Sequence, residues 1–156
     1  METKINDLRK ISKQGFVRGA LSALIGSVIF AFFNAVAIFV YAQTFETWVF
    51  GVLLIVFVIS VVLSVVPGLY GGRWLAHLLY RDALAGSLTR KKAIMKGTIL
   101  GMFAGFGICV FVVMFLYTRG DFNILIFRII SAVVIAGWMG GWAGAKLADN
   151  IAHTTK

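Results

Sequence analysis

The four longest apolar runs of this chain contain no aspartate and no glutamate, and only the last contains a basic residue, Arg128. That absence argues against a proton-coupled exporter of the small multidrug kind, in which a carboxylate within the bilayer exchanges a proton for substrate. Cysteine is as scarce: Cys109 stands alone mid-run. A single thiol excludes a disulfide framework or a thiolate metal cluster, and Cys109 reads as a small packing residue. Both histidines, His77 and His153, fall outside the runs, so neither is placed to ligate a haem within a bilayer. There is no Ser/His/Asp set, no metal-ligand cluster and no phosphate-binding glycine loop following a strand. The chain is therefore expected not to be an enzyme and to need no cofactor. Proline occurs once, at Pro67, where the missing N–H is expected to kink a helix just before Gly68.

What is present is hydrophobic. Of 156 residues 60% are apolar and 13% charged, a balance outside that of a soluble domain. The apolar residues fall in unbroken blocks rather than at period 2 or 3.6. Four blocks, residues 20–42, 49–72, 97–118 and 122–145, match the roughly 20 helical residues that cross a hydrocarbon core about 30 Å thick. Strands of a β-barrel would alternate apolar and polar residues, which these blocks do not. The fold class expected is an all-α integral membrane protein, a bundle of four transmembrane helices.

The formal net charge of +9 does not imply nucleic acid, because of where the charges sit. Thirteen of the fifteen basic residues precede the first block, lie between the second and third, or follow the fourth; Arg119 and Arg128 are the exceptions. That is the positive-inside pattern. It predicts the inner or plasma membrane of a cell with both termini cytoplasmic, and no nucleic-acid partner. The apolar run after the charged leader is too long, and lacks a nearby small-residue cleavage site, for a removable signal peptide, so the first block is expected to remain.

Five segments follow. Residues 1–15 are a polar leader, in which Ile5, Leu8 and Ile11 recur among basic residues; it is either a short helix on the inner leaflet or a solvated tail. Residues 16–80 form a first hairpin, with an amphipathic extension of the second span at Tyr70, Trp74, Leu75, Leu78, Leu79 and Tyr80. Residues 81–95 are a linker, broken at Ala85-Gly86-Ser87, with Thr89 as an N-cap for the next helix. Residues 96–148 form the second hairpin and 149–156 a tail.

The halves look alike. Small residues recur every fourth position at Gly19, Ala23, Ser27, Ala31 and Ala35, and again at Gly97, Gly101, Gly105 and Cys109, an offset of 78 that also carries Arg18 onto Lys96. At an offset of 73, Ser64, Gly68, Gly72 and Arg73 map onto Gly137, Gly141, Ala145 and Lys146. Each unit crosses twice, so the two would be tandem parallel hairpins about an axis along the membrane normal. The ladders Gly19/Ala23/Ser27, Ser64/Gly68/Gly72, Gly97/Gly101/Gly105 and Gly137/Gly141/Ala145 are expected to pack helix on helix, because spans in lipid associate where small side chains allow close contact. Tyr41, Trp48 and Tyr117 at the outer ends, and Trp74, Trp138 and Trp142 near the inner ends, read as interfacial belts.

Polar candidates are few. Asn34 and Arg128 lie at similar depth from the outer end, and a hydrogen bond between them, with Asp121 or Glu46 as counter-charge, is an expectation. Arg128 otherwise snorkels, contacts another subunit, or lines a pore. At the inner end Arg18, Arg73, Lys96 and Lys146 abut the ladders and could form a basic ring for anionic lipid headgroups. The function expected first is a non-catalytic packing or assembly subunit, bound to other membrane proteins or to its own copies. A small channel or transporter, anion-selective in one form, is the alternative, and a membrane-permeabilising effector a weaker one. Replacing Arg128 with leucine separates its roles: unchanged assembly and activity leave snorkelling alone.

Overall fold

The computed structural model describes residues 2–42, 47–116 and 122–154, and within them the side chains of 34, 109 and 111–116, among others, are not described. Four α-helices fill those residues: α1 (Glu2–Ala42), α2 (Thr47–Leu84), α3 (Arg90–Leu116) and α4 (Phe122–Thr154). In α1, α2 and α4, windows at Asn6–Phe33, Phe57–Leu84 and Ile126–His153 are long and apolar enough to cross a membrane. The far end of the third apolar block, from 111 on, lies outside the described side chains.

The described residues of the leader are helical. They are the first part of α1, whose 41 residues extend roughly 60 Å at 1.5 Å each, about twice a hydrocarbon core. The one helix breaker in the leader, Gly15, is accommodated because Gly72 and Ala76 of α2 occupy the space a Cβ would need. In like manner α2 continues through Pro67 to Leu84, so all of the expected extension and the start of the linker are helical.

The break between α2 and α3 is short and built by local rules. Gly86 takes φ +66°, the left-handed conformation that costs a Cβ-bearing residue energy. Its N–H donates to the Ala83 carbonyl at 3.0 Å, and that of Ser87 to the Asp82 carbonyl at 2.9 Å. These two bonds close the last carbonyls of α2 as a Schellman cap. Three residues later the Thr89 hydroxyl accepts from the Lys92 N–H at 3.3 Å, and the Thr89 carbonyl from the Ala93 N–H at 3.0 Å, so the expected N-cap opens α3.

The best-buried core sits at the basic end. Ile11 of α1, Leu75, Ala76, Leu79 and Tyr80 of α2, Ala93 of α3, and Leu147, Ala148 and Ile151 of α4 form one cluster, with Leu8 and Leu88 against it. Charged residues such as Arg9, Lys10, Arg81 and Lys91 ring the same level, exposed. Large apolar side chains inside and charges outside is the arrangement water enforces. Along the rest of the helices it is inverted. Phe32, Leu54, Val62, Phe103, Ile130 and Trp138 are exposed, while small residues face one another.

Ile11 is therefore a core residue rather than part of a surface helix or a solvated tail. Its i+3 spacing with Leu8 directs both toward Leu75 and Leu79, an alternative to a lipid surface that spacing alone does not distinguish. Leu79→Ala, at a fully buried site, should lower stability by about 2–5 kcal/mol. Thermal unfolding in mild detergent would read this against Val62→Ala, at an exposed site, where little change is expected.

Candidate functional site

The arrangement with most chemical consequence is a pair of seams along which backbones approach too closely for side chains. In the first, between α1 and α2, a Cβ on Gly19 would stand within 3.0 Å of the Gly68 carbonyl and the Gly72 Cα, and one on Gly72 would strike the Gly15 carbonyl and Gly19. Gly68 would meet the Ala23 Cβ. In the second, between α3 and α4, Gly97 meets the Gly140 carbonyl and lies next to Gly144, Gly144 meets the Ala93 carbonyl, and Gly101 meets the Ala136 carbonyl. Gly105 lies against Ala136 and Ala132.

The two sets of contacts correspond position by position. Gly15, Gly19 and Ala23 stand to α2 as Ala93, Gly97 and Gly101 stand to α4, an offset of 78; Gly68 and Gly72 match Gly140 and Gly144, an offset of 72. The α4 register thus differs by one residue from the expected Gly137/Gly141/Ala145 row. Gly137 and Gly141 lie beside the seam, where they make room for Met102 and Thr98, and Ala145 is buried. The reason is that α4 carries two adjacent rows of small residues. The offset of 73 selects between them by aligning Arg73 with Lys146, yet a one-residue slip turns a helix by about 100° and seam packing does not sense those charges.

Polar groups inside the seams are hydroxyls. Ser27 and Ser64 are hydrogen-bonded to one another across the first seam; each is also within hydrogen-bond reach of a carbonyl on its own helix, Ala23 at 2.8 Å and Val61 at 3.2 Å. The positions matching them in the second seam are Gly105 and Ala136, which carry no hydroxyl. Ser22 is buried and donates to the Gly19 carbonyl at 2.9 Å. Between the seams, α1 meets α4 where Gly26 lies against Met139 and Ile135.

The four basic residues at the seam ends divide. The Arg18 guanidinium stands 6.0 Å from the Trp142 ring centre, at cation–π distance, and so ties α1 to α4. The Lys96 ammonium pairs with the Asp82 carboxylate, both largely shielded, and ties α3 to the end of α2. Arg73 and Lys146 are exposed. A second pair, Arg90 with Asp149 at 3.6 Å, is exposed and contributes little. Asp82 was not singled out in the sequence; its position fourteen residues before Lys96 has no helical meaning until the turn at Gly86 folds α3 back.

Arg128 is half-buried, and its carbonyl accepts from the Ser131 hydroxyl at 3.0 Å. The side chain of Asn34 and residues Glu46 and Asp121 lie outside the described residues, and so does their expected pairing. Among the described residues no group of three His, Cys, Asp or Glu could hold a metal ion. Opposite the α1–α4 contact, an apolar recess of about 320 Å³ lies between α2 and α3, lined by Leu63, Pro67, Phe103, Ala104, Gly107 and Ile108. No protein-family model, curated protein or solved structure matches the chain.

Gly97→Leu, which must displace the Gly140 backbone, should destabilise the fold by about 1–3 kcal/mol or more. Gly71→Ala meets only the Leu100 side chain at 3.8 Å and should stay within about 1 kcal/mol of the parent. Denaturant titration in detergent compares them; equal effects would show that the seams do not hold the helices.

Proposed function

We propose that the chain is a four-span protein of the cell membrane, with both termini cytoplasmic, built from two copies of one helical hairpin. Its role in this reading is that of a non-catalytic packing or assembly subunit, within a membrane complex or a homo-oligomer. The observation that carries it is the division of side chains along the helices. The closest contacts, in the two seams, are made by glycine, alanine and serine, whereas away from the basic end many phenylalanine, leucine, isoleucine and valine side chains on all four helices are exposed. In lipid, close van der Waals contact between small residues holds helices together, and outward apolar side chains cost nothing. The matching contacts at offsets of 78 and 72 support the duplication, and the placement of the basic residues supports the orientation.

A chain of this kind offers neighbours a large apolar surface and little chemistry. A basic ring guarding an anion pathway has less to rest on, since Arg18 and Lys96 are engaged by Trp142 and Asp82. Gentle extraction of the full chain followed by native mass spectrometry tests the assembly role. Stoichiometric partner proteins, or one defined homo-oligomer, are the expected result. A monomer that conducts anions when reconstituted alone in liposomes would overturn it.

A further inference from the structure

Every described helical glycine except Gly107 has an atom of another residue within 4 Å of where its Cβ would be. Gly107 has none, yet a glycine inside a helix costs about 0.5–1 kcal/mol relative to alanine. It lines the recess between α2 and α3, together with Pro67 and Phe103.

The edges of this recess run to the basic end. At 100° per residue, Leu63, Pro67, Trp74 and Arg81 share a sector of about 40° on α2, and Lys92, Lys96, Phe103 and Gly107 one of about 60° on α3. Trp74, Arg81 and Lys92 are exposed. Lys96 between them is paired with Asp82, and the Lys92 ammonium donates a hydrogen bond from one of its three N–H groups to the Ser87 carbonyl at 3.2 Å. The first turn of α3 holds no acidic residue to oppose an anion. From Lys92 to Gly107 is roughly 22 Å along the helix, close to the thickness of one leaflet with its headgroups, about 20 Å.

Resting on the four-span reading, we propose that the α2–α3 face binds one anionic phospholipid of the inner leaflet. One acyl chain lies in the recess over Ala104 and Gly107, Trp74 stands at the glycerol level, and the phosphate is held between Arg81 and Lys92. Charge complementarity selects a phosphate-bearing lipid over a neutral one, and the missing Cβ of Gly107 leaves the chain its space.

The test uses the full chain reconstituted in nanodiscs of equimolar phosphatidylglycerol and phosphatidylcholine with identical chains, then released for native mass spectrometry. Retention of one phosphatidylglycerol per chain is expected. R81Q/K92Q should reduce that preference roughly 30-fold, from about 1 kcal/mol for each cation, while R81K/K92R keeps it. Gly107→Phe should reduce retention of both lipids with helicity by circular dichroism unchanged. Equal retention of the two lipids, or a preference that survives R81Q/K92Q, overturns the proposal. So does cross-linking of Gly107→Cys between copies in the membrane, in a Cys109→Ala background that leaves one thiol, because a second chain would then fill the recess. Alkaline carbonate extraction is run first. Release of the chain by carbonate counts against the four-span reading itself, whereas a carbonate-resistant chain with no lipid preference counts only against the lipid site.

Discussion

Backbone-to-backbone approach at the glycine seams is the constraint on which the rest of this structure depends. Gly19 against Gly68 and Gly72, and Gly97 against Gly140, leave no room for a Cβ. Once two helices are this close, their crossing is fixed within a residue, and the larger side chains on either side have only the outward direction. The exposed Phe103, Val62 and Trp138 follow from the seams rather than from any separate preference. Close contact also maximises dispersion, which in the four-span reading is the attraction that remains when the solvent is as apolar as the side chains.

A second principle operates at the basic end. There Ile11, Leu79, Leu147 and Ile151 are fully buried among helices whose outer faces carry charge. Burial of large side chains is driven by water, at about 25 cal/mol per Å² of apolar surface, and in the four-span reading water is present only beyond the membrane. The long helices join the regimes: α1 and α2 each take part in a seam and in the inner core, so packing at one fixes the rotation of the helix at the other. Arg18 on Trp142 and Lys96 on Asp82 lie where the two meet. They cross-link α1 to α4 and α2 to α3, the contacts that the seams themselves do not supply.

Much of this was legible in the amino acids, and what was not has identifiable causes. The apolar blocks on α1, α2 and α4, the Gly86 turn and the Thr89 cap follow from local rules, and the structure has them. The α1 ladder was legible because its small residues form a single row. On α4 the adjacent small residues Ala136, Gly137, Gly140 and Gly141 present two rows, and only the partner helix decides between them. Gly15 and Ile11 read as part of a polar leader because charged neighbours surround them, yet a helix is ended by its backbone chemistry and not by polarity. The Lys96–Asp82 pair depends on a turn direction that spacing does not encode. For Asn34, no side-chain geometry is described.

The proposed copies are not equivalent, and the difference has a direction. The first seam is closed in its middle by a hydroxyl pair, Ser27 with Ser64, where the second has only Gly105 against Ala136. Interhelical hydrogen bonds of this kind in lipid are worth about 0.6 kcal/mol on average, enough to hold register but not to replace packing. In the second seam a Cβ on Gly101 would strike backbone where Ala23 on α1 carries one. Both pairs are thus secured internally by different means, and the junction between α2 and α3 combines a recess with the Lys96–Asp82 pair, a short turn and the shared core at the basic end. The two glycine seams therefore lie within the pairs, and what joins the pairs is the contact of α1 with α4 together with the core that all four helices share at the basic end.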